Sequence, residues 1–454
     1  MKKDLFKDFD AVSAKAWKQK IQVDLKGADY NDTLVWESLE GIKVKPFYHQ
    51  DDFDKPFSPI PGQPSHWNIG QFYFIDDESI TNKLALDAIS RGAEAIYFTA
   101  HKTFNFKTVL KDISTAETLI QLHLHFLDAT FVREITIYAE AKGIKLDVYI
   151  DPIGHLGSTG NWFSNQAKDL KMTSEILNIS PTALFIETSQ YQNAGANMEQ
   201  QLAYALSHAN EYLNHFGKKI KHLSPTFKIS VGSNYFFEIA KIRALRLGYA
   251  ALAKAHGVDD MCRIIATPSL RNKTLYDYNI NMLRTTTETM SAVLGGADTV
   301  INLPYDALYH KSNEFGERIS RNQLLILKEE SYFDVVSNAA DGSYYIEALT
   351  QTLAERSVRL VKDIESSGGL LSQLKEGTIQ RKISESAAKE QLLFNDGTLV
   401  LVGTNKHPNQ QDRMKDDLEL YPFLKHNPRK TLIKPITEKR LAQAVEQKRL
   451  ADEE

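Results

Sequence analysis

The chain has 454 residues, with 54 Lys and Arg against 58 Asp and Glu, a formal net charge of -4 and 42% hydrophobic residues. So even a balance gives no electrostatic footprint for nucleic acid or an anionic membrane, and the length allows a large buried core. Cys262 is the one cysteine, which excludes a disulfide framework and a cysteine-based zinc site, and no apolar run approaches the roughly 18 residues of a membrane span.

Met1 to Asp10 is charged and lacks the apolar stretch of a signal peptide, so a cytoplasmic protein is expected. Residues 1–79 read as an N-terminal arm carrying Trp17 and Trp36. Pro56, Pro59, Pro61 and Pro64 exclude helix there and predict an extended strap laid on a surface. From residue 80 to 337 short apolar runs alternate with helical patterns. Candidate strands are Ala95–Thr99, Leu119–Phe126, Leu146–Ile150, Ala183–Glu187, Thr226–Val231, Cys262–Ala266, Asp298–Asn302 and Tyr332–Val336. Amphipathic segments separate them, among them Asp128–Lys142, Ala196–Phe216, Asn234–His256, Tyr276–Leu294 and Phe315–Lys328. This alternation predicts parallel βα units of the α/β class, closed into a (β/α)8 TIM barrel of about 250 residues. Residues 338–403 predict a helical extension, with helices over Ser343–Glu365 and Ile379–Leu393 and a short strand at Thr398–Val402. Residues 404–454 read as a linker and a C-terminal helix that Thr437 could cap.

Three groups of residues invite a chemical reading. Placed at about 100° per residue, Arg243 and Arg246 fall within the apolar arc of Phe236, Ile239, Ala240 and Leu247. Buried guanidinium groups need partners, so structural ion pairing is expected ahead of ligand binding. His123 and His125 share one strand face, a spacing some barrel metallohydrolases use for zinc, but no second set of ligands is evident and no metal site is expected. Gly154, Gly157 and Gly160, with His155, Ser158 and Asn161 among them, could form a loop that cradles phosphate through backbone N–H groups, or a loop merely loosened.

The stretch Ser189-Gln190-Tyr191-Gln192-Asn193-Ala194-Gly195-Ala196 resembles a catalytic loop of the adenosylcobalamin-dependent acyl-CoA mutases, in particular the methylmalonyl-CoA mutase family. The matching loop there reads Tyr-His-Met-Gln-Glu-Ala-Gly-Ala, and its Tyr-His pair touches the substrate. Further residues follow the family order: Gly232, Phe236 to Lys241 with Arg243, Ala244 and Arg246, then Asn279, Arg284, Gly295-Gly296 and Arg318 to Asn322. So do Glu330-Ser331, Asp341 to Glu347, Gly368-Gly369 and Ala387-Ala388. The arm, through Asp24 to Ala28, Trp36, Glu40-Gly41-Ile42, Pro46 and Tyr48, is similar to the start of the small (beta) subunit of the bacterial heterodimeric enzymes.

The departures from the pattern set the functional expectation. Ser189-Gln190 replaces the Tyr-His pair, and Asn302 stands where the family has a histidine. The family binds the substrate carboxylate with an arginine after the third candidate strand, yet no arginine occurs between Arg133 and Arg243. The cobalt-ligating Asp-x-His-x-x-Gly motif is absent, and the stretch after Gly403 is too short for a cobalamin domain. The resemblance therefore implies a short form of a non-catalytic small subunit, with no catalytic, cofactor-binding or metal residues of its own. Its partner would be a larger catalytic subunit that binds the adenosylcobalamin and interconverts methylmalonyl-CoA and succinyl-CoA. Two alternatives stand beside this: a catalytic mutase subunit working with a separate cobalamin-binding chain, and an independent metal-dependent barrel enzyme using His123, His125 and His155.

Overall fold

The computed structural model describes residues 8–113, 118–217, 219–220, 223–424 and 428–453, so most of the leading stretch read against a signal peptide lies outside it. Eight strands run parallel in one sheet: β1 (Asn68–Phe74), β2 (Ala95–Ala100), β3 (Leu119–Leu124), β4 (Lys145–Tyr149), β5 (Phe185–Glu187), β6 (Thr226–Val231), β7 (Arg263–Pro268) and β8 (Thr299–Ile301). Their order is β4-β3-β2-β1-β8-β7-β6-β5, and a bridge between Ile150 and Leu184 brings β4 round to β5. With helices between successive strands, this is the (β/α)8 barrel that the alternation predicts. In β2 every residue is buried, because one face meets the outer helices and the other the barrel axis. Ile96, Phe98 and Ala100 join the shell beneath the helices, while Tyr97 belongs to a separate inner cluster.

The frame of eight begins one element earlier than expected. β1 falls inside residues 1–79, where the polar Asn68, Gly70 and Gln71 break the apolar run that marks the other strands. Gly70 answers a packing need at the β1–β8 seam: a Cβ there would lie 2.6 Å from Ile301 Cγ1 and 2.9 Å from Thr299 Cγ2. Tyr332–Val336, in turn, is not a strand. The helix Glu314–Leu325 runs on into a π-helical turn over Ile326–Glu330, Tyr332 takes a φ of 58°, and Tyr332, Val335 and Val336 face solvent. Its β-prone side chains find no edge to join, since β8 already pairs with β1.

The helical extension is present as Tyr344–Ser366, Leu370–Lys375 and Thr378–Asn395. Thr398–Val402 forms no strand, only an isolated bridge from Val402 to Lys406. The last helix, Gln443–Ala451, starts after Ala442 with no side-chain cap, so Thr437 does not cap it. Among the described residues no helix is long and apolar enough to cross a membrane.

Arg243 and Arg246 are fully buried and structural. Arg243 pairs with Asp341 and Glu347, tying its helix Tyr235–His256 to the extension. Arg246 donates to the carbonyls of Cys262 (2.7 Å) and Gly296 (2.7 Å) and pairs with Asp298 (2.6 Å). Arg246 thus satisfies carbonyls just before β7 and β8, while Arg243 is neutralised by two carboxylates, as the buried-charge argument requires.

The arm divides into two behaviours. Trp36 packs edge-on against Phe237 at 5.8 Å, Tyr48 lies 5.5 Å from Tyr345 and Phe53 stacks 5.8 Å from Tyr344. Tyr30, Ile42, Val44 and Ile60 are buried in this way. The helix Ala14–Asp24 buries none of its residues. Phe9, Val12, Trp17 and Val23 all stand exposed, and Trp17 stacks on Phe47 at 4.4 Å.

Candidate functional site

In a parallel barrel the loops after the strand C-termini form the face where ligands bind, so the candidate site is the ring of residues just beyond β1–β8. Its floor is solid. Tyr97, Tyr149, Phe185, Ile265 and Ile301 form a buried cluster of their own, contributed by β2, β4, β5, β7 and β8, and strands so far apart meet only at the axis. Beneath them Arg263 of β7 pairs with Asp147 of β4, and Gln121 donates to the Tyr149 hydroxyl at 3.2 Å and to Thr299 Oγ1 at 3.4 Å. Burial pushes the Tyr97 and Tyr149 hydroxyl pKa values up and keeps both groups neutral. At this level the lumen is a packed core.

Above this floor Lys228 of β6 and Glu187 of β5 pair at 2.9 Å, and the ammonium lies 5.6 Å from the Tyr97 ring centroid. Ser189 and Gln190 sit directly after β5, at the face where chemistry is expected, within a single helical turn over Ser189–Asn193 whose residues are all buried. The Ser189 hydroxyl donates to the Glu187 carboxylate, and the Gln190 amide donates to the Glu187 carbonyl at 3.1 Å. Ser189 and the Gln190 amide nitrogen are thus tied to a strand end that is itself ion-paired, while Gln190 Oε1 is buried without a hydrogen-bond partner. Asn302 is likewise turned to structure, donating to Ser320 O and Gln323 Oε1, both at 2.9 Å.

The histidines come together without forming a metal centre. His123 Nδ1 lies 3.0 Å from the Tyr97 hydroxyl, its ring is 4.2 Å from His125, and His125 stacks on His101 at 4.5 Å. Burial first, then the neighbouring imidazoles and Lys228, push His125 down to about 4 and His123 well below its ordinary value. His155 lies under Phe163 at 3.8 Å and is also pushed down to about 4, chiefly by burial. Among the described residues no group of three or more His, Cys, Asp or Glu is placed to hold a metal ion.

The glycine motif is a helix, Pro152–Thr159, and not a phosphate loop. Asp151 caps it, accepting from the Gly154 amide at 2.7 Å, so a carboxylate already holds the place an anion would need. Asp151 is the hub of the mouth. It also accepts from Tyr212 (2.6 Å), from the Glu187 amide (2.8 Å) and lies 3.0 Å from His208 Nε2. Burial alone would raise its pKa, but His208, Tyr212 and the Glu187 amide outweigh it and hold the carboxyl below its ordinary value. The Asp-Pro step was a legible cap signal; its distant partners left none.

Residues 429–441 lie across the loops after β4, β5 and β7. The amides of Leu432 and Ile433 donate to Gly160 O (2.9 and 3.1 Å), Ile436 to Gly157 O (2.8 Å), Lys439 to Asn193 O (3.0 Å) and Leu441 to Arg271 O (2.9 Å). Arg271, an arginine at the mouth that sequence reasoning passed over, pairs with Glu390 and donates to Lys439 O at 2.7 Å, so it is not free for a substrate carboxylate.

Residues 106–452 match the family model described as methylmalonyl-CoA mutase. The chain is 31% identical to the methylmalonyl-CoA mutase small subunit of Porphyromonas gingivalis, over 92% of this chain and 73% of that one. It is 26% identical to the small subunit of Propionibacterium freudenreichii subsp. shermanii, over 80% of this chain and 63% of the relative. The methylmalonyl-CoA mutase of Escherichia coli is 24% identical, with 89% and 65% covered. The chain thus spans roughly two thirds of the length of these relatives, and the family model runs through barrel, extension and tail alike. On that match, and on a barrel whose mouth is built at the positions the model spans, the chain belongs to the methylmalonyl-CoA mutase family.

Proposed function

We propose that this chain is a non-catalytic small subunit, and that it pairs with a larger catalytic chain interconverting methylmalonyl-CoA and succinyl-CoA. One observation carries the reading: the residues after β5 in the reactive position are Ser189 and Gln190, buried and bonded to Glu187 above a lumen filled by Tyr97, Tyr149 and Phe185. No acyl chain fits along that axis without displacing several buried rings. The names of the small-subunit relatives support a partner, since a small subunit belongs to an assembly. The residues present do not fit adenosylcobalamin: the cobalt-ligating motif is absent from the sequence, and the loops after β4, β5 and β7 at the mouth already carry residues 429–441. In this reading the cofactor is held by the partner.

Two measurements test the proposal. The purified chain, alone or with a free cobalamin-binding domain, should give no succinyl-CoA turnover, and the S189Y/Q190H double variant should gain none. Groups that act as a unit give little when partly restored, and Arg271 at the mouth is already paired with Glu390. Affinity capture from the native cell should bring down a larger mutase chain in 1:1 ratio. Turnover by the wild-type chain itself would instead establish a catalytic subunit.

A further inference from the structure

The contacts of residues 431–441 follow the pattern of a bound peptide more than that of a packed element. They lie outside any helix or strand, between a segment with little regular structure and the Gln443–Ala451 helix. Five of their amides donate to carbonyls of Gly160, Gly157, Asn193 and Arg271. Ile433 and Ile436, three residues apart, are buried in the main core cluster, and Leu441 is buried in a smaller one with Phe394 and Leu401. The barrel in turn is shaped to receive them. A Cβ on Gly160 would lie 2.7 Å from Ile433 O and 2.8 Å from Thr431 Cβ, so a bare backbone there admits the crossing chain. Arg271 Nη1 reaches Lys439 O at 2.7 Å and Gln380 Nε2 reaches Lys434 O at 2.9 Å, clasping the segment's own carbonyls.

We infer that the loops after β4, β5 and β7 form a binding track for an extended peptide, and that residues 431–441 are its resident. Backbone pairing supplies affinity and the two isoleucine sockets supply selectivity, as in other modes of extended-peptide recognition. Any other ligand of this half of the mouth has to displace the resident. The glycine spacing that suggested phosphate binding is thereby explained: Gly157 and Gly160 offer a carbonyl and clearance to a polypeptide. The inference rests on contacts within this chain and is independent of its pairing with a larger one.

The test uses the full chain carrying I433D and I436D, which lift two of the resident's three apolar anchors while leaving every barrel residue unchanged. A fluorescent peptide of residues 428–442 should bind this variant saturably, and the same peptide bearing both aspartates should bind roughly tenfold more weakly or worse. The wild-type chain should bind the native peptide far more weakly than the variant does, because its track is filled. Hydrogen exchange at residues 432–441 should rise in the variant and fall again as peptide is added. Should the double variant fail to fold, the single variants I433D and I436D are measured in the same way. A folded variant that ignores the native peptide, or a wild-type chain that binds it equally well, overturns the inference.

Discussion

Asp151 shows how one side chain can fix the shape of a functional face. It caps a helix, holds the β5 strand end through the Glu187 amide, and receives His208 and Tyr212 from the following helix. Removing it strands a buried imidazole and hydroxyl, so D151A should lower the unfolding free energy by roughly 3–5 kcal/mol in urea titration. Because its folded pKa is depressed, its stabilisation is complete above the unfolded value of about 3.9 and is lost as pH falls through the folded one. The histidines work at higher pH. His125 titrates near 4 in the folded chain against about 6.5 when unfolded, so the unfolded state binds more protons between those values and stability falls on acidification. H125N should therefore flatten the fall in unfolding free energy between pH 6.5 and pH 4, by on the order of 3 kcal/mol, measured by urea titration across that window. An unchanged slope in that window would show the ring to be solvated.

At the scale of elements, what was legible depended on whether burial acted along the chain or between distant parts. β2, with Ala95 to Ala100 buried on both faces, reads as a strand because the outer helices cover one face and the barrel axis the other. β1 was obscured because Gly70 is there for the sake of Ile301 and Thr299, some 230 residues away, and that demand breaks the local pattern. G70A should cost roughly 2 kcal/mol through overpacking at this seam, read as a lower urea midpoint with an unchanged slope. Tyr332–Val336 misled in the opposite sense, since β-prone side chains need an open edge and none exists there. The apolar arc around Arg243 and Arg246 was legible, while the partners Asp341, Glu347 and Asp298 were not. R243M, which leaves two carboxylates facing an empty place, should cost roughly 3 kcal/mol or more. By contrast K20A, which breaks an exposed pair with Asp24, should change stability by less than about 0.5 kcal/mol. Candidate site residues fared similarly: the position of Ser189 and Gln190 was readable, but beyond its Asp-Pro cap the Asp151 hub draws on partners 36 to 61 residues away that have no local signature.

For the whole molecule, the two behaviours of the arm separate folding from association. Truncating residues 1–60 would strip Tyr30, Ile42, Val44 and Ile60 from the core and so would damage the barrel as well as any interface. V12E with V23E changes two exposed side chains and spares the Trp17–Phe47 stack, so it should leave Tm nearly unchanged while weakening capture of the proposed larger chain about tenfold or more. Equal capture by this variant would move the docking surface elsewhere. The sheet itself has a soft join. Seven strand pairs are laced by ordinary ladders, but β4 meets β5 through the Ile150–Leu184 bridge and the side-chain bond from Asp151 to the Glu187 amide. A hoop joined so lightly at one place opens there first when pulled or warmed. New chain ends placed at 162–165, between the two helices that separate β4 from β5 and clear of Gly160 and Asn161, would leave every ladder intact, so a circular permutant cut there should fold with little penalty, whereas one cut within the β1–β2 connection would have to reclose a five-rung ladder.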